Sequence, residues 1–464
     1  MPEARSLARR KSARVDSNPR LEDHMHRILS LFVASVAAFA VGAASPAIAF
    51  NAAAEKTAVD HDLDAAYPQL DALYKDLHRH PELGFQEKAT AARLAKEMRA
   101  LGFTVTEGIG RTGIVAIFHN GAGPTVLVRT ELDALPLQEL TGLPYASTDQ
   151  QAVNGHASYV AHMCGHDIHM AAWIGTARLL VAAKARWHGT LVFVGQPAEE
   201  LVSGAAAMLA DGLFTRFPKP DVGFALHVGP EAAGTVSYRA GVISSNSDAF
   251  EITFHGRGGH GAMPNLTIDP VLEAGHFIVD VQSVISREKD PAAFGVVSIG
   301  ALEAGSAGNV IPDLARVRGT VRSYDQDVRK KLLAGIERTA KAVAAMADAP
   351  APDVSIKAGG IAVVNDAALT DRTAGVFRAA FGDRAEPTPE PGKASEDYSQ
   401  FILAGVPSTY FSIGGLDPAA VARAKATGVP LPGNHSPQFA PVPEPTIRAG
   451  VEAMTLAVLN VLEP

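Results

Sequence analysis

Three short runs of nearly continuous apolar residues, at 125–129, 190–195 and 222–226, are separated by stretches long enough for helices, and this alternation limits the possible folds more than any other feature. A strand with one wet face alternates apolar and polar residues, whereas a strand covered on both faces reads as an unbroken apolar run. Covered strands joined by helices describe an α/β domain with a mainly parallel sheet and helices on both faces. One such helix fits residues 170–184, with apolar residues at 170, 173, 174, 177, 180 and 181. Upstream, Leu63, Tyr67, Leu70, Leu73, Tyr74 and Leu77 recur at helical spacing; His80-Pro81-Glu82-Leu83-Gly84 breaks the pattern, and a second helix fits 89–101.

The pattern changes near Gly241. Phe250, Ile252 and Phe254 alternate as in a half-exposed strand; a helix fits 269–286, strands fit 296–302 and 316–324, a helix fits 327–346 and a strand fits 353–357. That β-α-β-β-α-β order is a ferredoxin-like α+β unit over 242–358, inserted between the two parts of the larger domain at 60–241 and 359–464. A chain of 464 residues exceeds what one hydrophobic core supports, which agrees with two folded units.

Met25-His26-Arg27 precedes an apolar run over 28–42 and the small-x-small triplet Ala47-Ile48-Ala49, so residues 1–49 read as a signal peptide and leader. The run falls short of the roughly 20 apolar residues of a spanning helix, which argues against a retained anchor and for an exported protein, periplasmic or secreted. Cys164 is the sole cysteine, so no intrachain disulfide is possible and its role lies elsewhere. A net charge of −8 with no basic stripe argues against a nucleic-acid partner.

The densest chemistry is His162-Met163-Cys164-Gly165-His166-Asp167-Ile168-His169, just before the helix for which Asp167 is a candidate N-cap. Cys164 and His166, two apart, share a face in an extended loop but not on a helix, which suits presentation of a thiolate and an imidazole to one metal ion. Gln196-Pro197-Ala198-Glu199-Glu200 follows an apolar strand and so lies at a carboxyl end, where open α/β sheets place their sites. Neighbouring carboxylates point apart on extended chain, so one can bind metal while the other moves a proton. His227 and His435, each taken alone, read as ordinary surface or core histidines, and Asp133 as a turn residue closing a strand.

In their order along the chain, the Glu131 to Pro136 stretch, the Cys164-Gly165-His166-Asp167 loop, the Glu199-Glu200 pair, His227 and His435 resemble the M20 metallopeptidase family. The likeness is to its amidohydrolase branch of hippurate hydrolases, indoleacetyl-amino-acid hydrolases and N-acetyl-diaminopimelate deacetylases. The resemblance implies that Cys164, His166, Glu200, His227 and His435 bind two divalent ions, zinc or manganese, with Cys164 bridging. Glu199 would then be the general base and Asp133 a carboxylate that orients the ligands. The inserted unit, through 256–262 and 305–312, resembles the family's lid and dimerisation domain, which implies a homodimer in which His260 and Asn309 reach the substrate. The implied substrate is a small N-acyl amino acid or a peptide-like amide. Glu131, where the branch commonly has aspartate, and Asn265, where histidine is frequent, depart from the pattern. Competing readings are a dipeptidase or carboxypeptidase of the same family, a cysteine hydrolase with Cys164 as nucleophile, and a non-catalytic metal-dependent binding protein.

Overall fold

The computed structural model of the protein describes residues 50–153 and 155–463, so the leader expected over 1–49 lies outside the described residues. The first elements are helices α1 (Ala52–Arg79) and α2 (Lys88–Ala100), then strands β1 (Thr104–Ile109), β2 (Gly113–Asn120) and β3 (Thr125–Glu131). Helix α3 (His166–Ala182) leads to β4 (Gly189–Gln196), β5 (Val222–Ala232) and β6 (Val236–Tyr238). After the inserted segment come α6 (Ala367–Phe381), β11 (Ala385–Pro387), β12 (Ser408–Leu416) and α7 (Pro443–Leu462), the labels α4, α5 and β7 to β10 belonging to the insert given below.

The eight strands named so far form one sheet in the order β1-β2-β4-β3-β5-β12-β6-β11. Its centre, β4-β3-β5-β12, is parallel throughout, and antiparallel pairings occur only toward the margins, at β1–β2, β2–β4 and β12–β6. The unbroken apolar runs have the expected cause. Val126, Val128, Leu191, Phe193, Phe224 and Leu226 face one core beneath α1, α2, α3, α6 and α7; Leu127, Val192, Val194 and Ala225 face a second core capped by the short helices Gly204–Ala210, Leu213–Arg216 and Ser399–Leu403. Each such side chain contributes about 1.5–3 kcal/mol by leaving water. Because the four central strands run the same way, their carboxyl ends share one edge.

The insert contains β7 (Asp248–His255), α4 (Pro270–Asp280), β8 (Gly295–Ala304), β9 (Leu314–Ser323), α5 (Gln326–Met346) and β10 (Asp353–Ala358). Its antiparallel sheet has the order β8-β9-β7-β10, the ferredoxin-like arrangement, with Phe250, Ile252 and Phe254 turned onto a core shared with Phe277 and Ile336 of the helices. Helix α4 is shorter than its sequence pattern: Asp269 caps it by accepting from Val271 and Leu272 N–H, it ends at Asp280, and a π-turn over Val284–Glu288 follows. The entering and leaving chains are fastened together. Ser247 N–H donates to the Gly360 carbonyl at 2.9 Å, and Gly359 passes so close that a Cβ on it would sit 1.9 Å from the Ser247 carbonyl oxygen.

Candidate metal centre

Asp133 lies just past β3, Glu199 and Glu200 just past β4, and His227 within β5, all toward the carboxyl edge of the parallel strands. Cys164 and His166 reach that edge by a tight turn rather than the extended loop expected. Gly165, with φ 86°, is the N-cap of α3, and His166 is already helical. A side chain at Gly165 would place its Cβ 2.3 Å from Val228 Cγ1, so only glycine fits this close left-handed turn. The expectation that Asp167 caps the helix is therefore corrected. Asp167 sits inside the first turn, where its charge faces the positive helix end, and its Oδ2 binds His78 Nδ1 at 2.6 Å. His435 arrives on the loop before α7. Its backbone N–H donates to the Met163 carbonyl at 2.7 Å, while Asn434 Nδ2 donates to the carbonyls of Cys164 and Val228, both at 3.0 Å.

These elements bring together five side chains from four stretches of sequence. The ligand atoms of Cys164, His166 and His227 lie within 4.8 Å of one another, and so do those of Cys164, Glu200 and His435. Cys164 belongs to both triplets, a geometry in which one thiolate can touch two ions. Cys164 Sγ is 3.4 Å from His227 Nε2, and His435 Nε2 is 3.3 Å from Glu200 Oε2. Around a tetrahedral ion with bonds of 2.0–2.3 Å, neighbouring ligand atoms stand about 3.3–3.8 Å apart, so both separations suit metal ligation.

Hydrogen bonds set the imidazoles for that task. His166 Nδ1 donates to the Asp133 carbonyl at 2.8 Å and His227 Nδ1 to the Val228 carbonyl at 2.8 Å, which leaves each Nε2 with a lone pair. Among the described residues His166 Nε2, Glu200 Oε1 and Asp133 Oδ1 are buried with no hydrogen-bond partner. Orphaned atoms of this kind are costly in a protein interior, and two cations would satisfy them. Asp133 Oδ2 accepts from Glu200 N–H at 2.9 Å, so this carboxylate braces the backbone of one triplet and, through its carbonyl, the ring of the other. Both ring nitrogens of His162 are also unpartnered, and burial depresses its pKa to about 4, which makes it a neutral packing residue.

Glu199 differs from its neighbour. Its carboxylate makes no hydrogen bond among the described residues, and Oε2 lies 3.9 Å from His166 Nε2. Burial first, and then the charges of Glu396, Glu200 and Asp397, raise its pKa well above the carboxylate range. The backbone around it is strained: Ala198 (φ 48°), Val202 (φ 50°) and His435 (φ 68°) occupy the left-handed region without being glycine. Such positions cost of order 1–3 kcal/mol each and persist where the surroundings over-determine them.

Beneath the centre lies a charged layer that sequence reasoning missed. Buried Arg129 donates to Glu131, to Glu396 Oε1 at 2.7 Å and to Gln196 Oε1 at 2.9 Å. Glu131, noted in sequence only as a departure from pattern, also accepts from His169 Nδ1 at 2.8 Å, while His169 Nε2 accepts from Val228 N–H. An arginine inside an apolar strand was the available signal; the acidic pair Glu396-Asp397 gave none. His260 and Asn309 lie together, with Gly261 N–H donating to the Asn309 carbonyl at 2.8 Å, and both sit on the inserted unit rather than among the five clustered side chains.

The sequence pattern of Peptidase family M20/M25/M40 matches residues 127–428. The hippurate hydrolase of Campylobacter jejuni is 37% identical over 345 residues, covering 72% of this chain and 85% of its own. Among solved structures, an aminohydrolase from methicillin-resistant Staphylococcus aureus superposes with a TM-score of 0.76 at 28% identity, covering 86% of this chain and 98% of that one. The Bacillus subtilis YXEP protein, described as a dinuclear metal-binding peptidase, superposes with a TM-score of 0.69 at 28% identity over 86% of this chain and 99% of its own.

Proposed function

Since the chain belongs to the peptidase family M20/M25/M40 and is a metal-dependent hydrolase of amide bonds, we propose that its substrate is a small N-acyl amino acid, cleaved into a carboxylic acid and a free amine. The observation that carries this reading is the pairing of two ligand triplets that share Cys164 with a neighbouring carboxylate, Glu199, that is committed to no partner.

In this reading Cys164, His166 and His227 hold one divalent ion, and Cys164, Glu200 and His435 hold the other. When bound, such a pair supplies Lewis acidity, lowering the pKa of a water from near 16 toward about 7 and polarising the scissile carbonyl. Glu199 takes a proton from the attacking water and delivers it to the departing amine nitrogen. Its raised pKa suits both halves of that task, because a carboxylate that binds a proton readily can also carry it to the amine. Asp133 keeps the His166 ring and the Glu200 backbone in register. The inserted unit acts as a lid that carries His260 and Asn309 to the substrate. Leu302 on strand β8 and Val271, Leu272 and Val279 on α4 are exposed apolar residues, which supports a homodimer formed through this unit. Zinc and manganese both suit a donor set of one thiolate, imidazoles and a carboxylate. Export to the periplasm or beyond remains part of the proposal, on the strength of residues 25–49.

The test is a hydrolysis screen of metal-loaded protein against N-acetyl, N-benzoyl and indoleacetyl amino acids and unblocked dipeptides. Glu199→Gln should lower kcat by about 10²–10⁴-fold with the metal retained. Undiminished turnover by that variant excludes Glu199 as the base, and cleavage of dipeptides alone moves the assignment to a peptidase.

A further inference from the structure

The carboxylate of Glu199 is nearly buried yet unbonded, so the surrounding field, rather than a hydrogen bond, decides which way it points. On one side stands His166 Nε2, 3.9 Å away. On the other stand Glu396 and Asp397, whose carboxylate oxygens come within 4.8 Å of those of Glu199. We propose that Glu396 is a positioning residue for Glu199, its negative charge standing behind the base and keeping that carboxylate turned toward the Cys164, His166 and Glu200 side chains.

The anchoring of Glu396 fits this role. Its oxygens accept from both terminal nitrogens of Arg129, at 2.7 and 3.3 Å, from Tyr398 N–H at 2.8 Å and from Tyr410 Oη at 2.7 Å. Four donors hold the group still, so it cannot rotate away from Glu199 to relieve the repulsion. Asp397 is fixed in the same way, accepting from Gln196 Nε2 at 2.5 Å and from Ala205 N–H at 2.9 Å. Arg129 does not cancel Glu396, because it is shared with Glu131 as well. Glu396 therefore keeps a carboxylate oxygen fixed on the face it presents to Glu199. Like charges at this range in a buried site repel strongly, and fixed groups exert that force without reorganising during the reaction.

Glu396→Gln keeps the size and the acceptor oxygen but removes the charge and introduces an N–H₂ group. The new amide would attract the Glu199 carboxylate backward, away from the water it must deprotonate. This inference rests on Glu199 acting as the base. Its experiment measures kcat and KM on the best N-acyl substrate of the screen, with bound metal and melting temperature determined for each protein. The expected result is a fall in kcat of about ten- to a hundredfold, the scale of a small misplacement of a catalytic group, with KM within about twofold and metal content unchanged. Should Glu396→Gln fail to fold, Glu396→Asp draws the charge back from Glu199 by one methylene, and the same split is expected. A folded, metal-loaded variant of either kind that keeps kcat within about threefold of the wild type overturns the proposal. So does a loss that follows metal content alone, with turnover per loaded site unchanged. A wild-type protein that cleaves no amide overturns the functional reading as well, whereas an active wild type matched by an active Glu396→Gln overturns only the positioning role.

Discussion

Two carboxylates close on one imidazole at His78, with Asp167 Oδ2 on Nδ1 at 2.6 Å and both oxygens of Glu139 on Nε2 at 3.1 Å. Burial disfavours charge on this ring, but the paired carboxylates outweigh it and raise its pKa to about 9. In the unfolded chain the value is roughly 6.5. A raised histidine stabilises the fold fully below about pH 6.5, and that contribution is lost as pH climbs through about 9. His78→Gln should therefore cost about 3 kcal/mol in urea unfolding at pH 6, since removing one partner strands buried charge, and the gap between the two proteins should narrow sharply by pH 10. A gap that does not change with pH would mean His78 folds neutral. The residues of the centre were legible where two or more chemical types sat side by side, as at Cys164 and His166 or Glu199 and Glu200. Glu396 and Asp397 were not, because an acidic pair has no local reason to be buried until distant strands bring it together, and the only sign of that layer was Arg129 inside an apolar strand.

The turn that joins Cys164 to α3 is the element on which the centre depends most. Gly165→Ala would force a side chain into a left-handed residue and against Val228, at about 3 kcal/mol for backbone strain and overpacking together. We expect a lower melting temperature and substoichiometric metal by elemental analysis; full metal loading would show that the turn can open without disturbing the cluster. The strands β3, β4 and β5 were readable because burial on both faces leaves a continuous apolar run. Strand β12, buried just as deeply, was not, since its Ser408 and Thr409 look like surface residues. Their hydroxyls are satisfied one at a time, by Tyr398 Oη and by Thr370 Oγ1, both at 3.0 Å, and no periodicity records such private partners. Edge strand β1 escaped notice for the opposite reason, its Thr and Glu residues being largely exposed.

At the scale of the whole molecule, the large sheet and the inserted unit meet through two chains fastened at Ser247 and Gly360. Gly359→Ala drives a Cβ into the Ser247 carbonyl, so this junction must shift. If closure of the insert over the centre limits turnover, kcat and KM should both change while the metal content does not. Unaltered steady-state constants would remove the lid from the mechanism. Activity should disappear in excess chelator and return with zinc or manganese. Loading should weaken toward acid pH, because protons compete for the thiolate and the imidazoles. Activity that survives chelation would instead favour Cys164 as a nucleophile. The order in which the cluster is encoded has a consequence for biosynthesis. Cys164, His166 and His227 leave the ribosome long before His435, which comes after β12. The helix that follows His435 is almost wholly buried in the main core, so a product truncated before His435 would lose a wall of that core together with its last ligand.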